Sequence, residues 1–379
     1  MENVIWIVIM LPISLLFTGL GIYAWRRKKP MWFRSGSTVK ESEIADIPAY
    51  NRANGIMWIA YSSVFWLGSI LGAFDLDIAG WVLAVGCLGG IPILVIAYRK
   101  IYNKYRRSAE KPRETIHVET VETDSFSMNY FKFGSGARTL VIIPGLSVQG
   151  VMGSAEQVAE AYRAVSEDFT VYVFDPQNEL PDSVSIAELA DNTVKAMKTL
   201  GLGRVCIMGA SMGGMIAMEI AARYPESVEK TVLASTAVQV KEAQLPVIEK
   251  WISLAKEKNA EGLYLAFGEA VYPKAIFEQS RGLLVEASKS VTEAELNRFI
   301  ILAGSVRGFD ITGELDSVKC PVFAVCDRED RVLGAQAVRA METCMAKRSE
   351  WDFYLYDGYG HALYDTAPDF KERMLDFLL

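Results

Sequence analysis

The sequence predicts an α/β protein: a mostly parallel β-sheet flanked by helices and covered by a helical lid, preceded by three membrane-spanning helices. Two patterns carry that expectation. Three long apolar runs without charged side chains occupy the N-terminal region, and from Thr115 onward short β-rich runs alternate with longer helical ones. Composition agrees with a division into unlike parts. A chain of 379 residues exceeds the usual size of one domain. Its 51% hydrophobic content and mean hydropathy of +0.17 are high for a soluble enzyme, whereas its net charge of −7 is ordinary for an acidic cytosolic domain.

The first span is read from Val4 to Trp25, about 20 residues being enough to cross a bilayer as a helix. Glu2 precedes it and Arg26-Arg27-Lys28-Lys29 follows, the reverse of a cleaved signal peptide, so a retained anchor is expected. Spans at Gly55–Phe74 and Ile78–Tyr98, separated by a short acidic turn at Asp75 and Asp77, are expected to form a membrane hairpin. The alternative, three buried helices of a soluble core, fits poorly with uncharged runs of this length flanked by Trp25, Trp58, Trp81 and Tyr98. Lys and Arg crowd the first loop (Arg26, Arg27, Lys28, Lys29, Arg34, Lys40, Arg52) and the segment after the third span (Arg99, Lys100, Lys104, Arg106, Arg107). The positive-inside rule then places the N-terminus outside and everything after Tyr98 in the cytoplasm of a multi-pass cell-membrane protein. Gly68-x-x-x-Gly72 and Gly86-x-x-x-Gly90 offer close helix packing. No acid, base or His lies inside the spans, which points to an anchor or packing surface and away from a transporter. The membrane region is taken as 1–105 and a charged linker as 106–114.

Residues 115–379 read as the α/β domain. Strands are expected at Thr139–Ile143, Thr170–Phe174, Arg204–Met208, Lys230–Leu233, Val322–Val325 and Asp352–Tyr356, most of them apolar throughout, as in a sheet covered on both faces. Ala155–Val165, Ile186–Leu200, Met212–Tyr224 and Gln336–Met345 have helical length and periodicity. His117–Thr123 and Ser127–Phe133 read as an antiparallel hairpin opening the sheet. Helical pattern without strands fills 241–307, where Thr292-x-x-Glu295 is a capping box, so an inserted lid is expected there. Within it Leu263, Tyr264, Phe267, Tyr272 and Phe277 are read as lid core in preference to a cleft lining.

The chemistry centres on Gly209-Ala210-Ser211-Met212-Gly213, which follows a buried strand and opens a helix. Small residues permit the sharp turn that lifts a Ser211 hydroxyl clear of the sheet, and the helix aims backbone N–H groups at developing negative charge. A Ser hydroxyl needs a base, and the chain has only two His, His117 and His361. His361, in Gly360-His361 after the last strand, can reach Ser211 from a loop, whereas His117 falls in the first strand. Asp330, with Asp327 as reserve, follows the preceding strand and supplies the carboxylate that orients such a base.

Four motifs make residues 115–379 resemble the α/β-hydrolase superfamily in its lidded form: Val141-Ile142-Ile143-Pro144-Gly145, the Ser211 elbow, Asp330 in Asp330-Arg331-Val332-Leu333, and Gly360-His361. The resemblance implies a Ser211-His361-Asp330 triad, an oxyanion hole from the backbone N–H groups of Leu146 and Met212, and an acyl-enzyme route. It also implies a carboxylic ester or thioester substrate, with a lipid-like or hydrophobic small molecule suggested by membrane attachment. Three features depart from the family. The early strand ends Pro144-Gly145 where His-Gly is usual, Asp327 stands where Gly is frequent, and Asp175-Pro176-Gln177-Asn178 lacks the common Arg-Gly turn. Haloperoxidase-type chemistry, carbon–carbon bond hydrolysis and a non-enzymatic membrane scaffold are the alternatives. Cys87, Cys206, Cys320, Cys326 and Cys344 show neither paired nor metal-ligand spacing, so reduced thiols are expected and neither metal nor cofactor. The acidic balance argues against nucleic acid, and protein partners are left open.

Overall fold

The computed structural model describes residues 2–32, 39, 41–106 and 115–379, which leaves the expected linker, Arg106 apart, and the basic residues Arg34, Lys40 and Arg107 outside the described residues. Two compact units result, Met1–Arg113 and Glu114–Leu379.

The first unit contains α1 (Glu2–Arg26), α2 (Ile47–Leu71) and α3 (Leu76–Tyr105), each long and apolar enough to cross a membrane. Two boundaries differ from the sequence expectation. α2 starts at Ile47 rather than Gly55 because Asp46 caps it, accepting from the Ala49 N–H at 2.9 Å, and Pro48 suits a first turn. Its polar first turns are neutralised locally: Asn51 accepts from the Met31 N–H at 2.8 Å and donates to the Arg27 and Lys29 carbonyls. α3 opens at an Asp75 cap and continues past Tyr98 through Arg99, Lys100 and Lys104, since a helix need not stop where its apolar run does. Small residues set the helix spacing. A Cβ on Gly21 would lie 2.9 Å from the Gly55 carbonyl oxygen, and one on Gly86 would lie 2.1 Å from Val64. Ser14 with Ser69 (3.0 Å) and Thr18 with Ser62 (3.1 Å) pair hydroxyls between α1 and α2.

In the second unit the described residues form one eight-stranded sheet in the order β1-β2-β4-β3-β5-β6-β7-β8. The strands are β1 (Val118–Glu122), β2 (Ser127–Phe133), β3 (Arg138–Ile143), β4 (Phe169–Phe174), β5 (Val205–Ala210), β6 (Val228–Ala234), β7 (Val322–Asp327) and β8 (Trp351–Tyr356). β1 and β2 run antiparallel, and β3 through β8 are parallel. His117 lies just before β1 and is exposed, so the hairpin strand is one residue shorter there than expected. Alternate residues of β5 enter two separate clusters, Val205 and Ile207 on one face, Cys206, Met208 and Ala210 on the other. Each large apolar side chain so buried contributes about 1.5–3 kcal/mol, which is why these strands are apolar throughout.

Helices α4 (Ala155–Ala161), α5 (Ile186–Thr199), α6 (Met212–Arg223), α11 (Gly334–Met345), α12 (Leu363–Thr366) and α13 (Phe370–Leu378) cover the sheet. Between β6 and β7 come α7 (Pro246–Lys256), α8 (Ala260–Val271), α9 (Lys274–Ser288) and α10 (Glu293–Gly304), in the segment expected as a lid. The Thr292–Glu295 capping box is formed. Leu263 is fully buried, Phe277 is buried, and Phe267 packs against Trp251 and Phe299 at centroid distances of 4.6 and 6.5 Å, a lid-core arrangement. The chain leaves β3 toward β4 on one side while β5 lies on the other, so the strand order reverses at β3/β5, and the carboxyl ends of strands at such a reversal are where open α/β sheets bind ligands.

Candidate active site

Ser211 sits at that reversal point, in the turn between β5 and α6, with φ +53° and ψ −118°. A non-glycine residue held there carries about 1–3 kcal/mol of strain, so the surroundings must over-determine it. They do so from β6. The Ser211 N–H donates to the Ala234 carbonyl at 2.8 Å, and the Thr236 hydroxyl donates to the Ser211 carbonyl at 2.8 Å. Gly209 and Gly213 are required by close approach: a Cβ on Gly209 would lie 2.3 Å from the Gly213 carbonyl oxygen, and one on Gly213 would lie 2.0 Å from that of Ile143.

His361 arrives from the loop after β8 and is buried, 3% exposed. Its Nε2 is 2.8 Å from Ser211 Oγ and its Nδ1 is 2.8 Å from Asp330 Oδ2. An ionised carboxylate only accepts, so Nδ1 carries the proton and donates to Asp330, while Nε2 accepts from the Ser211 hydroxyl. Asp330 Oδ1 accepts from the backbone N–H groups of Val332 and Leu333 at 2.8 and 3.0 Å. Burial pushes the Asp330 carboxyl up, but His361 and these two amides pull harder, and it rests below its ordinary value.

Of the sequence candidates, the structure brings Ser211, His361 and Asp330 together. His117 is separated from β5 by four strand positions, at the β1 edge. Asp327 is fully buried but bonds backbone, its Oδ1 accepting from the Glu329 N–H at 2.8 Å and its Oδ2 from the Tyr359 N–H at 2.9 Å. Pairing of Ile143 with Gly209 sets Pro144-Gly145-Leu146 beside the elbow, and a Cβ on Gly145 would be 3.1 Å from the Ser211 Cβ. Among the described residues the N–H groups of Leu146 and Met212 have no backbone acceptor, and that of Met212 opens α6, whose N-terminal dipole favours an anion.

Sequence reading missed several supports. Arg298 of α10 donates to the carbonyls of Pro176 and Gln177, each at 2.7 Å, and of Asn178 at 3.2 Å, fixing the loop that lacks the usual Arg-Gly turn. Gln149, three residues beyond Leu146, accepts from the Tyr264 hydroxyl at 2.7 Å. Val271, at the end of α8, accepts from the Ala362 N–H at 3.0 Å, beside His361. Thr236, Gln149 and Arg298 meet their partners only across long sequence separations, so no local pattern betrays them.

A strand–Ser–helix turn at the switch point of such a sheet, faced by a His from beyond the last strand and an Asp from beyond β7, is the arrangement of the α/β-hydrolase fold. Comparison agrees: residues 138–310 match the family model described as alpha/beta hydrolase fold. RutD of Rhizobium rhizogenes, a protein named for carbamate hydrolysis, is 24% identical over 252 residues, covering 64% of this chain and 93% of its own. An α/β-hydrolase enzyme from a Medee basin deep-sea metagenome library superposes with a TM-score of 0.61 at 19% identity, over 69% of this chain and 97% of that one. A membrane phospholipase A, described as a bacterial virulence factor, superposes with a TM-score of 0.54 at 20% identity, over 80% of this chain and 97% of its own. Glu114–Leu379 has the α/β-hydrolase fold.

Proposed function

We propose that this protein is a membrane-anchored serine hydrolase that cleaves a carboxylic ester or thioester of an acyl-lipid or hydrophobic small molecule. The observation that carries the reading is the continuous line from Ser211 Oγ through both nitrogens of His361 to Asp330, with 2.8 Å at each step. In this reading His361 Nε2 takes the Ser211 proton as Oγ attacks the acyl carbon. The oxyanion is met by the N–H groups of Leu146 and Met212, and the imidazolium is held by Asp330. His361 then returns the proton to the departing alcohol or thiol, leaving an acyl-Ser211. Water, deprotonated by the same His361, releases the acid and restores the hydroxyl.

Substrate class rests on two supports. The three apolar helices would hold the site next to a bilayer, where lipid-like esters concentrate. The likeness to a membrane phospholipase A covers more of this chain than Glu114–Leu379 alone supplies. The basic residues after α1 and in the last turns of α3 favour a cytoplasmic hydrolase unit, with the N-terminus outside. A second reading, hydrolysis of a carbamate ester by the same triad, is favoured by the RutD match.

The test is labelling of membranes with a fluorophosphonate probe in wild type, Ser211→Ala and His361→Ala. Wild-type labelling lost in both variants is expected; labelling that persists in Ser211→Ala refutes the assignment. Turnover of dispersed lysophospholipid or monoacylglycerol against that of a soluble carbamate ester separates the two substrate readings. Protease added to sealed, right-side-out cells should leave the hydrolase unit intact.

A further inference from the structure

Asp327 is a fully buried carboxylate, yet among the described residues no charged side chain is a hydrogen-bond partner of it. Its two oxygens reach different loops. Oδ1 accepts from the Glu329 N–H at 2.8 Å, in the turn that delivers Asp330 immediately afterward. Oδ2 accepts from the Tyr359 N–H at 2.9 Å, in the loop that delivers His361 two residues later. Both loops are also held elsewhere: on the histidine side the Thr366 hydroxyl donates to the Tyr359 carbonyl at 2.9 Å and the Ala362 N–H to the Val271 carbonyl at 3.0 Å. The acid loop has further ties, Asp330 N–H to the Asp327 carbonyl at 3.2 Å and Arg328 N–H to the Tyr356 carbonyl at 3.0 Å. On the histidine side, Gly358 and Gly360 take φ of +87° and +68°, so Tyr359 lies between two residues with wide backbone freedom. The Asp327 bond fixes the Tyr359 N–H one residue before Gly360-His361.

We infer that Asp327 is a positioning residue for the reaction: one carboxylate staples the acid loop to the base loop and fixes the separation of Asp330 and His361. A carboxylate suits the task because it offers acceptors in two directions. Asn has one acceptor, and its NH2 would face an N–H group, donor against donor. Asp327 itself is fully buried, so an acceptor lost there is costly to replace with solvent. The Asp327 carboxylate bonds the amides of Glu329 and Tyr359 and not the side chains of Ser211, His361 or Asp330. Its effect runs through the placement of His361, so the turnover step should suffer while substrate binding is spared.

This inference rests on reading Ser211, His361 and Asp330 as the triad, and the experiment keeps the two apart. The full chain in detergent micelles is assayed on p-nitrophenyl butyrate as wild type, Asp327→Asn, Asp327→Ala and Ser211→Ala. Sites are counted by fluorophosphonate labelling run to completion, so unfolded molecules drop out of kcat. A misplacement of the base by about 1 Å corresponds to a loss of roughly 100-fold in kcat for Asp327→Ala, with a lesser loss for Asp327→Asn and KM held within about two-fold. Asp327→Asn decides the matter if the Ala variant yields no labelled sites. Wild-type kcat per labelled site in Asp327→Asn, with only the melting temperature lowered, overturns the inference and leaves the triad standing. Turnover retained in Ser211→Ala overturns both.

Discussion

Replacing Asp330 by Asn separates orientation from charge, and the structure determines which way the new amide must sit. The Oδ1 position accepts two backbone N–H groups, from Val332 at 2.8 Å and Leu333 at 3.0 Å. Only the amide oxygen of Asn can accept them, so its NH2 occupies the Oδ2 position, 2.8 Å from His361 Nδ1 in the native geometry. An NH2 donates, and Nδ1 must then accept, which moves the imidazole proton to Nε2. That nitrogen faces Ser211 Oγ at 2.8 Å and can no longer take its proton. The expected loss is about 10⁴-fold in kcat, or roughly 5.5 kcal/mol of transition-state stabilisation. Folding should change little, because the two amide caps survive and Asn nearly matches Asp in volume. Stopped-flow or steady-state turnover of p-nitrophenyl butyrate, normalised by labelled sites, supplies the rate, and a thermal melt of the solubilised chain supplies the control. A loss smaller than about ten-fold, with the melt unchanged, would mean that Asp330 does not set the tautomer of His361.

Gly213→Ala is expected to abolish folded protein, since the added Cβ would sit 2.0 and 2.5 Å from the backbone oxygens of Ile143 and Pro144; Gly153→Ala, with nothing within 4 Å, should express normally. Arg298→Met removes three donations to the 176–178 loop and should cost about 2–4 kcal/mol, read as a lowered urea midpoint. Burial raises the Asp175 carboxyl above its ordinary value of 3.8, against the Val151 amide and Arg298, which lower it. The folded state then holds this proton more tightly than the unfolded state, so stability falls as pH rises through that interval and the deficit is complete at neutral pH. Asp175→Asn should therefore melt higher than wild type at pH 7, with the difference gone below pH 3.8, as thermal melts at both pH values will show.

Much of the fold was legible because burial leaves a compositional trace. Strands β3, β5 and β7 are covered on both faces, and their sequences are apolar without alternation. Element ends were less legible. The start of α2 lies in a stretch containing Asn51, Arg52 and Asn54, which reads as loop until its partners in the 27–31 segment are known. A polar residue satisfied by a distant backbone looks the same in sequence as one satisfied by water.

The site divided along the same line. The meeting of Ser211 with His361 was legible for chemical reasons: a Ser between small residues at a strand end, and a chain with two His of which one falls beside the first hairpin. Asp327 and Asp330 were not separable, since both follow the same strand and lie three residues apart, and either could be drawn toward a histidine. What divides them is side-chain direction. Asp327 ends β7 and turns under the loops, where it accepts from the amides of residues 329 and 359, whereas Asp330 has passed the turn and meets Nδ1. Direction at a strand end depends on the backbone angles of the following turn, which depend in turn on what the first carboxylate binds. The two aspartates are thus not alternatives for one role: the bonds of Asp327 to both loops set the position from which Asp330 can reach His361.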